Sequence, residues 1–180
     1  MFFDLIRKRR SIRQYLTRAV EPDKIELMVE AALRAPSSRG LRPWEFVLVT
    51  DKEKLKRLSA SKPHGAEFLK QAPLAFAVCA DPEKCDVWVE DASVACAFLM
   101  LAAEELGLGC CWVQVRERMH DSKTSAEENI RETLNIPARL KVEAVIAVGY
   151  PGEFLAPHKK ENLPYEKVSH DTYGWKYIIS

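Results

Sequence analysis

The sequence has little of what marks several large classes of proteins. Its seven glycines form neither the G-x-G-x-x-G pattern of a dinucleotide-binding loop nor the G-x-x-x-x-G-K-[ST] pattern of a P-loop. No uncharged apolar run reaches the length of about eighteen residues that a membrane span needs. The 27 basic and 26 acidic residues nearly cancel, so no overall field would attract nucleic acid or an anionic membrane. If the protein binds a phosphate group, its side chains must hold it.

The cysteines and histidines also lack the usual motifs. The five cysteines form no C-x-x-C pair, and the N-terminus lacks the basic-then-apolar order of a signal peptide, which favours a reducing cytoplasm. The four histidines have neither H-E-x-x-H nor another zinc spacing, so we expect no metal site. The sequence contains no evident acid, base or nucleophile. This pattern favours a protein whose chemistry is carried by a cofactor.

The apolar pattern predicts one domain over residues 1–180 with an α+β fold. Two helices open the chain, a short one and a longer one that begins near Glu21-Pro22-Asp23. A long helix, apolar around most of its circumference, is predicted over 86–106 and ends at Gly107, and a surface helix over 126–134. Short apolar runs predict buried strands over 44–50, 74–80, 110–115 and 142–148.

The last thirty residues have a different character. Residues 150–180 contain three prolines and little apolar periodicity, yet they end in Trp-Lys-Tyr-Ile-Ile. We interpret the segment as an extended C-terminal arm whose apolar end must be covered. It could add a strand to the sheet of a second subunit, and docking on its own domain is nearly as well supported by the sequence.

The densest charge cluster is Arg-Lys-Arg-Arg-Ser-Ile-Arg at residues 7–13. Guanidinium groups suit phosphate because they combine a full charge with planar, paired donors. The run therefore predicts an anion pocket at the end of the first helix, although a bare basic run is more often a solvated surface. Nucleic-acid binding has less support, since no interleaved aromatics or docking motif accompany the run.

A second polar segment, residues 35–44, joins the second helix to the first strand. Pro36 ends the helix, and the hydroxyls of Ser37 and Ser38 could face a ligand. An ordinary turn explains the same residues. Likewise, Gly107 followed by residues 108–112 reads as a helix cap and a buried strand, which leaves room for a site at the end of the strand.

Taken in order, these segments resemble the nitroreductase family of FMN-dependent oxidoreductases, especially its short members. The resemblance covers nearly the whole chain. It rests on five stretches: residues 9–13, Ala-Pro-Ser-Ser at 35–38 with Pro43-Trp44, Gly-Leu-Gly at 107–109 through Trp112, Val-Gly-Tyr-Pro at 148–151, and Lys160 with Leu163-Pro164. It implies an α+β sandwich with a central mixed, mainly antiparallel sheet flanked by helices. It also implies a tight homodimer with FMN at the subunit interface.

The resemblance further implies roles for individual residues. It assigns Arg9, Arg10 and Ser11 to the phosphate and ribityl chain, and Arg13 to the flavin edge at N1 and O2, where its charge would tune the cofactor. Lys160, with Lys159 beside it, would be a second phosphate contact. Pro36, Ser37 and Ser38 would lie against the flavin from the other subunit, and Trp112, Val113 and Gln114 would pass near its edge. The reactive centre would be flavin N5, and no side chain is expected to be catalytic.

Three positions depart from the family pattern. Gly40 and Arg42 stand where many members have Asn and Gln, and Asn162 stands where an Arg often follows Lys160. The last change predicts a weaker hold on phosphate. The extra charge of Arg42 would favour an anionic substrate or the 2′-phosphate of NADPH, which makes Arg42 a candidate substrate contact.

The function expected from the resemblance is hydride transfer from NADPH or NADH through FMN to an electron-poor acceptor, in two alternating half-reactions. Nitroaromatics and quinones are the acceptor classes it suggests. Alternatives are other flavin chemistry of the family, such as that of dehalogenases or dehydrogenases, and an FMN-binding protein without turnover. We expect no nucleic-acid or membrane partner.

Overall fold

The computed structural model describes residues 1–176. Its centre is a four-stranded sheet in the order β1-β2-β4-β3. The strands are β1 Trp44–Val49, β2 Leu74–Ala80, β3 Gly109–Gln114 and β4 Lys141–Gly149. Each lies within one residue of its predicted bounds. The expected α+β fold is confirmed.

The sheet is more uniformly antiparallel than expected. All three strand pairings, β1 with β2, β2 with β4 and β3 with β4, are antiparallel. Among the described residues, the bridge between Ser11 and Cys110 is the parallel contact, and it lies outside the four strands.

Five α-helices of residues 1–176 flank the sheet: α1 Phe2–Lys8, α2 Pro22–Leu33, α3 Lys52–Ser59, α4 Trp88–Glu105 and α5 Ala126–Leu134. The apolar pattern of the sequence does not predict α3. Its first turn is capped by Asp51, which accepts a hydrogen bond from the backbone N–H of Lys54 at 2.8 Å. Because only Leu55 and Leu58 of this charged helix are buried, its apolar periodicity is too weak to stand out.

The helices form a layer on each side of the sheet. Alternate residues of β2 show the arrangement: Leu74, Phe76 and Val78 pack in a cluster with α2 and α4, whereas Ala75 and Ala77 pack with α3 and α5. The central β2 is therefore buried on both faces. This sandwich fixes the strand ends on which the polar segments are mounted.

The long helix α4 ends as predicted, with Gly107 in the left-handed conformation (φ 73°) just beyond it. Its inward face is buried against the sheet, but Val94 and Phe98 remain 37% and 38% exposed. A part of its apolar circumference is thus uncovered within one chain. No helix of residues 1–176 is long and apolar enough to cross a membrane.

The C-terminal segment leaves the sheet after Gly149. From 151 to 176 it is largely exposed and contains two short 3-10 turns, Lys160–Asn162 and Tyr165–Lys167. Trp175 is 67% exposed. The apolar end predicted to join a partner's sheet covers residues 175–179, of which 177–179 lie outside the described residues.

Candidate functional site

The basic segment, residues 7–13, is fixed to the outer edge of β3 at Ser11 and Ile12. The backbone N–H of Ile12 donates to the carbonyl of Cys110 at 3.0 Å, and Ser11 forms a bridge with the same strand residue. This close approach requires glycine at 109, because a Cβ there would lie 2.7 Å from Cγ1 of Ile12. Tyr15 adds a second anchor, since its hydroxyl donates to the carbonyl of Ile12 at 2.6 Å.

Arg9, Ser11 and Arg13 converge near Cys111 of β3. Burial raises the pKa of the Cys111 thiol, and the charge of Arg13, a hydrogen bond from Ser11 and the charges of Arg9 and Lys62 act in the opposite direction. Ser11 bridges β3 at Cys110 and Lys62 bonds to it at Gln114, so the three cations and the hydroxyl lie along one stretch of this strand. We refer to Arg9, Ser11, Arg13 and Lys62 as the cationic cluster.

Arg10 points elsewhere, although the sequence analysis places it with its neighbours. Its guanidinium donates to the carbonyl of Ala156. It also lines a separate cavity of about 430 Å³ together with Lys8, Glu104 and Pro157. Side chains alternate in an extended segment, so residue 10 faces away from residues 9 and 11. In this chain, Arg10 ties the C-terminal segment to the basic segment.

The backbone and side chain of Arg13 are both held in place. Its guanidinium donates to the carbonyl of Ser11 at 3.3 Å and lies 5.9 Å from the ring centre of Phe68. The N–H groups of Arg13 and Gln14 donate to one carboxylate oxygen of Glu153, at 2.6 and 3.1 Å. The charge is thus oriented beside an aromatic face.

Lys62 is the member of the cluster that the sequence analysis misses. Its ammonium group donates to the carbonyl of Gln114 at 3.1 Å, and burial followed by the charge of Arg118 lowers its pKa. No motif marks it, because it is a single lysine in the loop after α3. Only the folding of that loop against the end of β3 brings it to the cluster.

Of the three residues at the end of β3 that are predicted to border a ligand, two have side chains that are not fully buried. The indole N–H of Trp112 donates to the side-chain oxygen of Gln114 at 2.8 Å, and both side chains are half-buried. Val113 is 1% exposed and belongs to the core cluster with α3 and α5. Its side chain is therefore unavailable to a ligand, and only its backbone could make the contact.

The loop with Pro36, Ser37 and Ser38 lies between α2 and β1. The backbone N–H of Ser38 donates to a carboxylate oxygen of Asp91 at 2.8 Å. The hydroxyl of Ser37 accepts from the N–H of Arg42 at 3.0 Å. Arg42 is exposed and adopts a positive φ of 48°.

This loop and the cationic cluster lie far apart in one chain. Ser38 contacts Asp91 in the first turn of α4. Arg9 lies near the other end of the helix, at Glu104 in the last turn. Burial raises the pKa of the Glu104 carboxyl group, and the nearby charge of Arg9 opposes that rise. Residues 91 and 104 are separated by about 20 Å at the usual helical rise. A single chain therefore does not bring the two predicted parts of the site together.

Lys159 and Lys160 are exposed and begin the first 3-10 turn of the C-terminal segment. The bond between Arg10 and Ala156 attaches this segment to the basic segment only three residues before Lys159. Both lysines are thus on a segment tethered near the cationic cluster, with their ammonium groups toward solvent.

The thiols are unsuited to nucleophilic chemistry. All five cysteines are buried and free. Burial raises the pKa of Cys79 and of Cys110 to about 12. No group of three or more His, Cys, Asp or Glu side chains that could hold a metal ion occurs in the part of the chain that the structure describes.

Comparison with known proteins gives consistent matches. The model of the nitroreductase family matches residues 6–63 and 60–150. The chain is similar to an FMN-dependent nitroreductase of known structure from Clostridium difficile R20291, with 48% sequence identity and a TM-score of 0.94. The alignment covers 95% of this chain and 99% of that one.

Two curated relatives extend the comparison. One from Archaeoglobus fulgidus, provisionally named NADH dehydrogenase/NAD(P)H nitroreductase, is 39% identical over 82% of this chain and 83% of its own length. An FMN reductase [NAD(P)H] from Bacillus subtilis is 27% identical over 91% of this chain and 71% of its own length.

Proposed function

Since the chain belongs to the nitroreductase family, we propose that it acts as a homodimer that passes electrons from NAD(P)H through FMN to a nitroaromatic or quinone acceptor. It is an NAD(P)H-dependent flavin oxidoreductase with FMN as its cofactor. The acceptor class, the alternation of two half-reactions, the dimer and the residue roles are the proposal. When bound, FMN would supply the redox chemistry that links NAD(P)H to the acceptor, with N5 as its reactive atom.

The observation that carries the proposal is that the basic segment runs beside β3 at Cys110, with Arg13 held against Phe68 and Lys62 bonded to the carbonyl of Gln114 on the same strand. FMN is a dianionic phosphate joined to a planar ring, and this donor set suits both ends. Arg9 and Ser11 supply charged and hydroxyl donors for the phosphate and ribityl chain. Arg13, oriented beside Phe68, supplies positive charge to the pyrimidine edge of the ring. A cation there stabilises negative charge that develops on the ring and thus favours its reduction.

The tethered C-terminal segment supplies the second phosphate contact in this proposal. Lys160, with Lys159 beside it, is exposed and carried by a segment that Arg10 holds through Ala156. Arg10 therefore acts by fixing the segment, and its own contact with the phosphate is not required. Asn162 carries no charge, so Lys159 and Lys160 would supply the positive charge that binds the phosphate group.

The second subunit completes the site. Ser38 contacts Asp91, which lies about 20 Å along α4 from Glu104, where the charge of Arg9 acts. The loop with Pro36, Ser37, Ser38 and Arg42 would therefore reach the FMN bound by the partner. Trp112, the backbone of Val113, and Gln114 would border the ring. The exposed apolar residues of α1 and α4, such as Phe2, Phe3 and Phe98, supply a surface that a partner would cover. The C-terminal arm would add to that interface.

We also propose that residues 1–180 form one FMN-binding domain and that the protein works in the cytoplasm. Arg42 would favour NADPH over NADH by pairing with the 2′-phosphate. Comparing the two donors in the wild type and in Arg42→Gln tests this role. An unchanged preference would remove it.

The test of the proposed function is an anaerobic visible spectrum of the protein supplied with FMN and freed of excess, before and after NADPH. A bound flavin spectrum that bleaches is the expected result. Arg13→Gln should weaken FMN binding, whereas Arg7→Gln, which removes an exposed arginine of α1 paired with Asp4, should not. A flavin that stays oxidised would favour a binding role or another electron donor, and no bound flavin would contradict the proposal.

A further inference from the structure

The loop between α2 and β1 holds an unfavourable backbone conformation. Arg39, Gly40 and Arg42 have φ values of 54°, 68° and 48°. Glycine adopts such values freely, but an arginine does so at a cost because its Cβ approaches the backbone. Strained residues of this kind persist only where surrounding contacts fix them, and they collect at functional sites. Some contact must therefore hold this loop.

One contact from outside the loop comes from Asp91 of α4 and is made to the loop backbone. One of its carboxylate oxygens accepts the N–H of Ser38 at 2.8 Å, and the other lies 3.3 Å from the thiol sulfur of Cys85. Asp91 is only 6% exposed, so both bonds are shielded from water. Hydrogen bonds to a buried carboxylate are among the strongest that a backbone N–H makes.

A side chain of the same loop is attached to the same region of the fold. The guanidinium of Arg39 pairs with Asp86 and lies 3.9 Å from the sulfur of Cys85. Within the loop, the hydroxyl of Ser37 accepts from the N–H of Arg42. Of these bonds, the one from Ser38 to Asp91 connects the backbone of the loop to the helical scaffold.

We infer that Asp91 is a positioning residue, which holds the loop of residues 37–42 in the conformation that meets the FMN of the partner subunit. This inference rests on the proposed function. A loop that is already ordered loses little conformational entropy when cofactor and electron donor bind. Without Asp91, each ligand would have to order the loop itself. Binding of FMN and NADPH would then weaken, while the rate of reduction of the fully bound enzyme would change little.

The direct test is hydrogen exchange of the Ser38 amide in the protein without FMN. Asp91→Ala removes the acceptor, so exchange should become at least about tenfold faster. The matched control is Cys85→Ala, which removes the other bond to the same carboxylate and should leave Ser38 protected. Equal protection in Asp91→Ala and wild type would overturn the inference.

Asp91→Asn covers the case in which the alanine variant does not fold. Its amide oxygen is an uncharged acceptor, so Ser38 should exchange a few-fold faster than in Cys85→Ala and slower than in a chain without an acceptor. Exchange equal to that of Cys85→Ala would overturn the role of the Asp91 charge.

The functional test separates binding from turnover. In Asp91→Ala, the Kd for FMN and the KM for NADPH should each rise about fivefold or more, with kcat within about twofold, and Asp91→Asn should recover part of the loss. A fall in kcat alone, or unchanged Kd and KM, would overturn the inference. A wild-type protein that binds no FMN would instead contradict the proposed function, whereas the exchange result at Ser38 stands without cofactor.

Discussion

Replacing Gly109 by alanine should displace the cationic cluster without touching any of its side chains. An added Cβ would lie 2.7, 2.8 and 3.0 Å from three atoms of Ile12. Ile12 is branched at Cβ and 7% exposed, so it has little room to turn aside. Ordinary contact begins near 3.4 Å, and the gap between β3 and the basic segment must therefore open by about 0.7 Å.

That displacement has a calculable cost. The bond from the N–H of Ile12 to the carbonyl of Cys110, 3.0 Å long, would lengthen to about 3.7 Å, which is no longer a hydrogen bond. Overpacking and the lost bond together should destabilise the fold by about 2–4 kcal/mol. Ser11 and Arg13 flank Ile12 and move with it. Losing one charged contact to FMN would raise its Kd by about 10- to 100-fold.

The assay is a flavin fluorescence titration for the Kd, with thermal unfolding measured in parallel. Gly107→Ala is the matched control: residue 107 has a φ of 73° and open space where a Cβ would lie. It should lose about 1–2 kcal/mol to backbone strain and keep the wild-type Kd. A wild-type Kd in Gly109→Ala, or an equal loss of affinity in both variants, would refute the reasoning.

Three further predictions follow from other parts of the structure. Burial raises the pKa of Glu143, and one of its carboxyl oxygens has no hydrogen-bond partner among the described residues. The contribution of the protonated Glu143 to stability is therefore present at low pH and is lost as the pH rises through the folded-state pKa. Because Glu143→Gln does not titrate, its melting temperature should gain on that of the wild type as the pH rises above the usual glutamate pKa of 4.5, and a constant difference would contradict this. Lys62→Met should weaken FMN binding about tenfold. The control Lys56→Met, which removes an exposed lysine of α3, should leave FMN binding unchanged. If FMN titrations gave the two variants the same Kd, Lys62 would not belong to the site. Ser125→Ala breaks the capping box of α5 and should cost about 1 kcal/mol, seen as a drop in melting temperature of about 2–4 °C with no change in FMN affinity; a loss of affinity would mean that α5 supports the site.

The secondary structure was largely predictable because it is encoded locally. Strands β2 and β4 are short apolar runs bounded by turn residues, and α5 carries both its capping residues and its apolar stripe in the sequence. The helix α3 was missed because only two of its residues are buried. A helix whose stability comes from its cap and from packing against the sheet leaves little trace in apolar periodicity.

The candidate site was predictable only where a motif carried it. The basic run and the Pro36–Ser38 loop were recognised as segments, but the direction of each side chain was not. Arg10 faces Ala156, and Val113 is buried in the core, because alternation along an extended backbone sends neighbouring residues to opposite sides. Lys62 and Asp91 carry no motif, and the sequence analysis names neither.

By itself, the sequence determined the α+β class, the strands, most of the helices and the dense basic run at residues 7–13, since each depends on neighbouring residues. Tertiary structure decided which cations lie beside β3, and that the loop with Ser38 lies at the far end of α4 from Arg9. Those relations depend on how distant segments pack against one sheet. Contacts between residues such as Lys62 and Gln114, 52 positions apart, exist only after the chain has folded.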